Sequence, residues 1–167
     1  MKRIFDFFRN QPPGRLITLG FFLVIMTGAF LLLTPMARRP GVDVSFVDAL
    51  FTSTSAVCVT GLIAIDTYDT FSVFGRAVVA LLIQVGGLGV TSVGAGLILA
   101  AGKKFSFKGR LLIKEGLNVD SFKGVVSLVK SVLLMTFCFE LVGVILSFIV
   151  FVQDYPPLHA LGYSIFH

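Results

Sequence analysis

Apolar positions run through this chain in long unbroken blocks rather than in the alternation of a half-buried sheet. Residues 16–37 and 77–102 contain no charged side chain. Each exceeds the roughly 20 apolar residues a helix needs to cross about 30 Å of hydrocarbon. Pro12-Pro13-Gly14 opens the first block and Pro35 closes it, which predicts one transmembrane helix over 16–37. A second is predicted over 72–102. A third apolar block predicts a helix over 124–152, stopping at Asp154 and Pro156-Pro157. A soluble domain of this size has no core able to bury such helices on every face. The pattern therefore predicts an all-α integral membrane protein.

The stretch between the first two helices differs. Thr52-Ser-Thr-Ser55 is followed by Val57-Cys-Val-Thr-Gly61, polar residues and then β-branched ones closed by glycine. That predicts a short helix over 45–56 running into an extended segment over 57–63. Ser45 and Asp48 have capping-box spacing: Ser45 caps the first amides, Asp48 reaches back, and its charge suits the positive end of the helix.

Charge fixes the expected topology. Lys2, Arg3, Arg9 and Arg15 precede the first helix, and Lys103, Lys104, Lys108, Arg110, Lys114 and Lys123 follow the second. Arg38, Arg39 and Arg76 lie on the other side, with Asp43, Asp48, Asp66, Asp69 and Asp154. This positive-inside pattern places residues 1–15 and the basic segment 103–123 in the cytoplasm. The first apolar run is too long for a cleaved signal and lacks a small-residue cleavage site, so it reads as a retained helix. With both basic segments inside, residues 45–65 must enter and leave the membrane on the outer side. Non-helical backbone at that depth has to be buried in protein or line water.

Composition agrees: 56% of residues are hydrophobic and 14% charged. The net charge of +5 is spent on orientation, which argues against a nucleic-acid partner. Cys58 and Cys138 stand apart without a CxxC, which predicts lone buried thiols rather than a disulfide or metal site. No serine, cysteine or carboxylate pair has active-site spacing, so the expectation is not an enzyme.

Residues 57–63 suggest ion handling. Removing water from a potassium ion requires replacement oxygens, which rings of backbone carbonyls supply. Aiming consecutive carbonyls one way demands an unusual conformation, and glycine adopts it most readily. Val59-Thr60-Gly61-Leu62 meets that need, with the preceding helix pointing its negative end at the ion.

These residues resemble a known family. Thr52-Ser-Thr-Ser-Ala-Val-Cys-Val-Thr-Gly-Leu62, Asp66-Thr67 and Gln84-Val-Gly-Gly-Leu-Gly89 resemble the Ktr/Trk/HKT superfamily of cation transporters, nearest to the Ktr-type bacterial potassium translocating subunit. The resemblance implies four successive helix–pore loop–helix repeats around one pore, with Gly61 as the filter glycine. The carbonyls of Val59, Thr60, Gly61 and Leu62 would then bind potassium. Plant relatives with serine at that position tend to carry sodium, so Gly61 favours potassium, with sodium as a coupling or regulatory ion. It further implies a homodimer in the bacterial plasma membrane, surrounded by lipid, with a cytoplasmic nucleotide-binding ring subunit docked on 103–123. Residues 156–167 look like the approach to a second pore loop, so the chain reads as a fragment truncated within the second repeat.

Two other readings stay open: a non-conducting membrane scaffold, or a secondary transporter of another solute with a broken helix at 45–63. Gly87, Thr91 and Ala95, like Ser92, Gly96 and Ala100, share helix faces and permit close approach; a bend at Gly86-Gly87 is the alternative. Glu140, near the middle of the third span, is either a functional carboxyl or one hydrogen-bonded between helices. Asp66 and Asp69 either concentrate cations at the outer mouth or are solvated loop acids.

Overall fold

The computed structural model describes residues 11–100, 107–118 and 124–166. Eight helices lie among them: α1 (Pro13–Leu33), α2 (Phe46–Val57), α3 (Thr67–Thr70), α4 (Val73–Leu88), α5 (Val90–Ala100), α6 (Phe107–Gly116), α7 (Val125–Phe151) and α8 (Pro157–Phe166). α1 and α7 are each long and apolar enough to cross a membrane. The chain is a helical membrane protein.

Local chemistry sets the helix limits. Pro13 sits at the first position of α1, where its missing N–H leaves no bond unmade. Thr34 has ψ 144°, because a residue before proline is pushed out of the helical region. The capping box of α2 is formed in both directions: the Asp48 amide donates to Ser45 Oγ at 3.1 Å, and the Ser45 amide to Asp48 Oδ2 at 3.3 Å. Asp66 accepts the Tyr68 and Asp69 amides at 2.8 and 2.9 Å and so caps α3.

The short helix α2 packs between α1 and α4. Leu32, Ala49, Ala56, Val57, Phe71, Val78, Val79 and Leu82 form the core there. Gly28 makes this packing possible: a methyl on it would fall 2.6 Å from a Leu82 methyl carbon. Ser53, fully buried, donates its hydroxyl to the Ile25 carbonyl at 2.7 Å, fixing α2 to α1. The exit of α1 is tied to the entrance of α4. Ser72 donates its amide to Ala37 at 2.9 Å and its hydroxyl to Met36 at 2.6 Å, and the Arg39 amide reaches the Thr70 carbonyl at 2.9 Å.

The expected single helix over 72–102 is instead two helices meeting at 97°. The break falls at Gly89, with φ 78° and ψ 138°, a conformation only glycine adopts without strain. The bend turns α5 toward α6 and α7, where Ala95, Ile113 and Val129 form a second small core. It also ends the expected continuous small-residue face. Gly96 approaches Leu133 on α7, whereas Gly87 and Gly94 have nothing within 4 Å. Of the basic segment 103–123, residues 107–118 are described and carry α6; the remainder lies outside the described residues.

Candidate functional site

The turn that follows α2 holds two positive-φ residues within three positions, Val59 and Gly61. Cys58 is the C-cap, in ordinary helical conformation. Val59 then has φ +53° and Gly61 φ +70°, with Thr60 between them. Two left-handed residues thus flank one that is not. The glycine was anticipated; the valine was not, because β-branched side chains rarely adopt positive φ.

Hydrogen bonds explain how Val59 is held there. The Thr60 amide donates to the Ser55 carbonyl at 3.0 Å, and the Val59 amide to the Ala56 carbonyl at 3.2 Å. These are the two bonds of a Schellman helix ending, whose left-handed position normally carries glycine. Strain of this kind is on the order of 1–3 kcal/mol and persists only where the surroundings over-determine it. Here the surroundings are the buried end of α2 and Gly86 of α4. A methyl on Gly86 would lie 2.7 Å from the Val57 carbonyl carbon and 2.9 Å from its Cα. The glycine-rich run of α4 therefore lies directly against the backbone that enters the turn.

Residues 59–63 form no strand: the positive φ values coil the segment back on itself. Val59, Thr60, Gly61 and Leu62 are all exposed. The carbonyls of Val59, Thr60 and Gly61 accept no hydrogen bond from any described residue. Leu62 differs, since its carbonyl accepts the Ser55 hydroxyl at 2.7 Å. The last turn of α2 abuts these oxygens and contributes roughly half an elementary negative charge.

Around the turn, the predicted acids divide. Asp66 is committed to capping α3, while Asp69 is exposed. A cluster the sequence did not suggest sits beside them. The guanidinium carbons of Arg39 and Arg76 lie 5.0 and 4.9 Å from the centre of the Tyr68 ring. Tyr68 Oη is 3.0 Å from Tyr163 Oη on α8. The Tyr163 hydroxyl, and then the two arginines, hold the Tyr68 phenol below its usual pKa of 10.0.

Glu140 projects from the middle of α7 and accepts the Gln84 side-chain amide at 2.5 Å. The pair borders a cavity of about 460 Å³ between α4, α7 and α8, lined otherwise by apolar residues such as Phe137 and Phe166. The Glu140 carboxyl is thus hydrogen-bonded between α4 and α7. Cys58 and Cys138 are free thiols, but both are exposed rather than buried, because one caps α2 beside the open turn and the other lies on an exposed side of α7. Among the described residues no group of three potential metal-ligating side chains occurs.

Comparison with known proteins finds relatives over most of the chain. Residues 18–161 match the profile of the TrkH family, described as cation transport protein. The chain is 37% identical over 159 residues to the potassium/sodium uptake protein NtpJ of Enterococcus hirae, which covers 95% of this chain and 35% of that protein. It is 38% identical over 165 residues to the Ktr system potassium uptake protein B of Bacillus subtilis, covering 99% of this chain and 36% of that protein. The corresponding protein of Vibrio alginolyticus is 32% identical over 162 residues, 95% of this chain. The chain spans about a third of the length of these curated relatives.

Proposed function

Because the chain belongs to the TrkH family of cation transport proteins, we propose that it forms part of a potassium uptake pore, with residues 59–62 as one wall of the selectivity filter. The observation that carries this reading is the backbone of the turn. Left-handed residues at 59 and 61 on either side of Thr60 leave three successive carbonyls without an internal donor, at the negative end of a short helix. Such oxygens can replace the hydration shell of a monovalent cation. One turn cannot encircle an ion, so equivalent turns from further repeats complete the ring. α7 and α8 repeat the order of α1 and α2, a long helix followed by a short one, and supply the start of a second such unit. In this reading the protein moves ions and performs no covalent chemistry.

The same reading puts residues 1–15 on the cytoplasmic side of a bacterial plasma membrane, with the α2 turn opening outward. α6 and the basic residues around it face the cytoplasm, where a nucleotide-binding ring subunit docks, and two copies of the whole subunit assemble. Potassium is the favoured ion because position 61 is glycine. The name of the Enterococcus relative supports sodium as a second ion.

Gly61→Ser in the full-length protein tests the filter. A side chain at φ +70° carries roughly 1–2 kcal/mol of strain. Relieving it by turning a carbonyl changes relative ion binding by about tenfold. Competitive uptake of potassium and sodium in cells lacking other potassium systems should show a reduced preference for potassium. An unchanged preference would overturn the assignment.

A further inference from the structure

We infer that Ser55 is a positioning residue for ion selection, its hydroxyl clamping the turn on both sides of Gly61. The inference rests on reading residues 59–62 as the filter. Ser55 lies in the last turn of α2 and is 9% exposed. Its Oγ is 2.7 Å from the Leu62 carbonyl oxygen and 3.0 Å from Thr60 Oγ1. The proton order follows from valence. A carbonyl only accepts, so the single Ser55 proton goes to Leu62, and Thr60 donates to Ser55. The Ser55 backbone carbonyl holds the Thr60 amide as well, at 3.0 Å. One residue of the helix thus grips positions 60 and 62, and Gly61 spans the gap between them.

Two consequences follow for the ion. The Leu62 oxygen is drawn back toward α2, which leaves Val59, Thr60 and Gly61 as the ion-facing set. The Thr60 hydroxyl is committed to the scaffold, so Thr60 offers an ion its carbonyl alone. In a helix ending of this kind the positions of Ser55 and Thr60 frequently make an apolar contact. An apolar pair here would leave the Leu62 carbonyl without a donor. One source of discrimination between potassium and sodium is a set of oxygens that does not follow the smaller ion inward. The hydroxyl relay opposes that movement at both neighbours of Gly61.

The test uses the full-length protein in proteoliposomes, with potassium and sodium uptake and membrane abundance measured for Ser55→Ala, Ser55→Thr, Thr60→Val and Gly61→Ser. Losing the Leu62 carbonyl's donor frees that oxygen to turn and predicts a drop in the potassium-to-sodium ratio on the order of tenfold for Ser55→Ala. Ser55→Thr keeps the hydroxyl and should recover most of the ratio. Thr60→Val conserves volume, removes one bond of the relay and should give a smaller drop; it carries the test should Ser55→Ala fail to accumulate. A wild-type ratio in Ser55→Ala or, failing that, in Thr60→Val overturns the clamp while a lowered ratio in Gly61→Ser leaves the filter standing. Ser55→Thr behaving like Ser55→Ala would make volume the cause and also overturn it. No change in any variant, Gly61→Ser included, removes both readings together.

Discussion

Adding one methyl group to either of two adjacent glycines should have opposite consequences. At Gly86 the new carbon would lie 2.7 Å from the Val57 carbonyl carbon and 2.9 Å from its Cα. Carbon atoms rest at about 3.5–4.0 Å, so helix and backbone must separate by roughly 1 Å. Neither side yields readily. Val57 is 1% exposed and belongs to the core between α1, α2 and α4, and the obstacle is main chain rather than a mobile side-chain tip. Overpacking of this kind costs about 1–3 kcal/mol, while replacing a helical glycine by alanine returns about 0.8–1 kcal/mol. Gly86→Ala should therefore destabilise the protein by up to about 2 kcal/mol. Because Val57 leads directly into the turn, it should also lower potassium preference. At Gly87 nothing lies within 4 Å, so only the propensity gain remains, and Gly87→Ala should be neutral or slightly stabilising. Thermal unfolding of the purified full-length variants, followed by an intrinsic or thiol-reactive fluorophore, reads the first quantity; paired uptake of potassium and sodium reads the second. Equal melting temperatures and equal selectivity for the two variants would refute the close approach of α4 to the turn.

Two further outcomes follow from the same geometry. Glu140→Ala leaves the Gln84 amide without its acceptor and should cost about 1 kcal/mol, whereas Glu140→Gln retains an acceptor oxygen and should unfold close to wild type; an alanine variant as stable as wild type would show that the bond joins nothing. Val59→Gly should raise stability by about 1 kcal/mol by relieving positive φ on a β-branched residue, and a lowered melting temperature would show that Val59 is not strained.

Much of this arrangement was legible because it is local. Ser45 and Asp48 are three residues apart, so their capping box is written in a short stretch of sequence, and the need for glycine at 61 follows from chain geometry. The two proline-marked ends of α1 are legible for the same reason. What escaped depends on contacts made far along the chain. A valine at 59 reads as extended until the Ser55 and Ala56 carbonyls, and the Gly86 wedge, force it left-handed. The right-angle bend falls at Gly89 rather than at Gly86-Gly87, because Gly86 is occupied against Val57 and the helix must continue past it. Gln84 and Glu140 are 56 residues apart, and no periodicity pairs them. The Arg39–Tyr68–Arg76 stack forms only once the loop after α1 is tied beside the start of α4. Similarly, a carbonyl such as that of Leu62 has no side-chain signature, so its capture by Ser55 is invisible in sequence.

The bonds from Ser72 to Met36 and Ala37 give the first unit the character of a closed hoop. Everything between those anchor points, α2 and its turn included, hangs from a rim fastened at both ends, and fastening removes most of the freedom a loop of that length would otherwise have. The break at Gly89 lies outside the hoop. The 97° bend between α4 and α5 therefore falls beyond the two anchor points, and the carbonyls of residues 59–61 lie within the fastened length of chain.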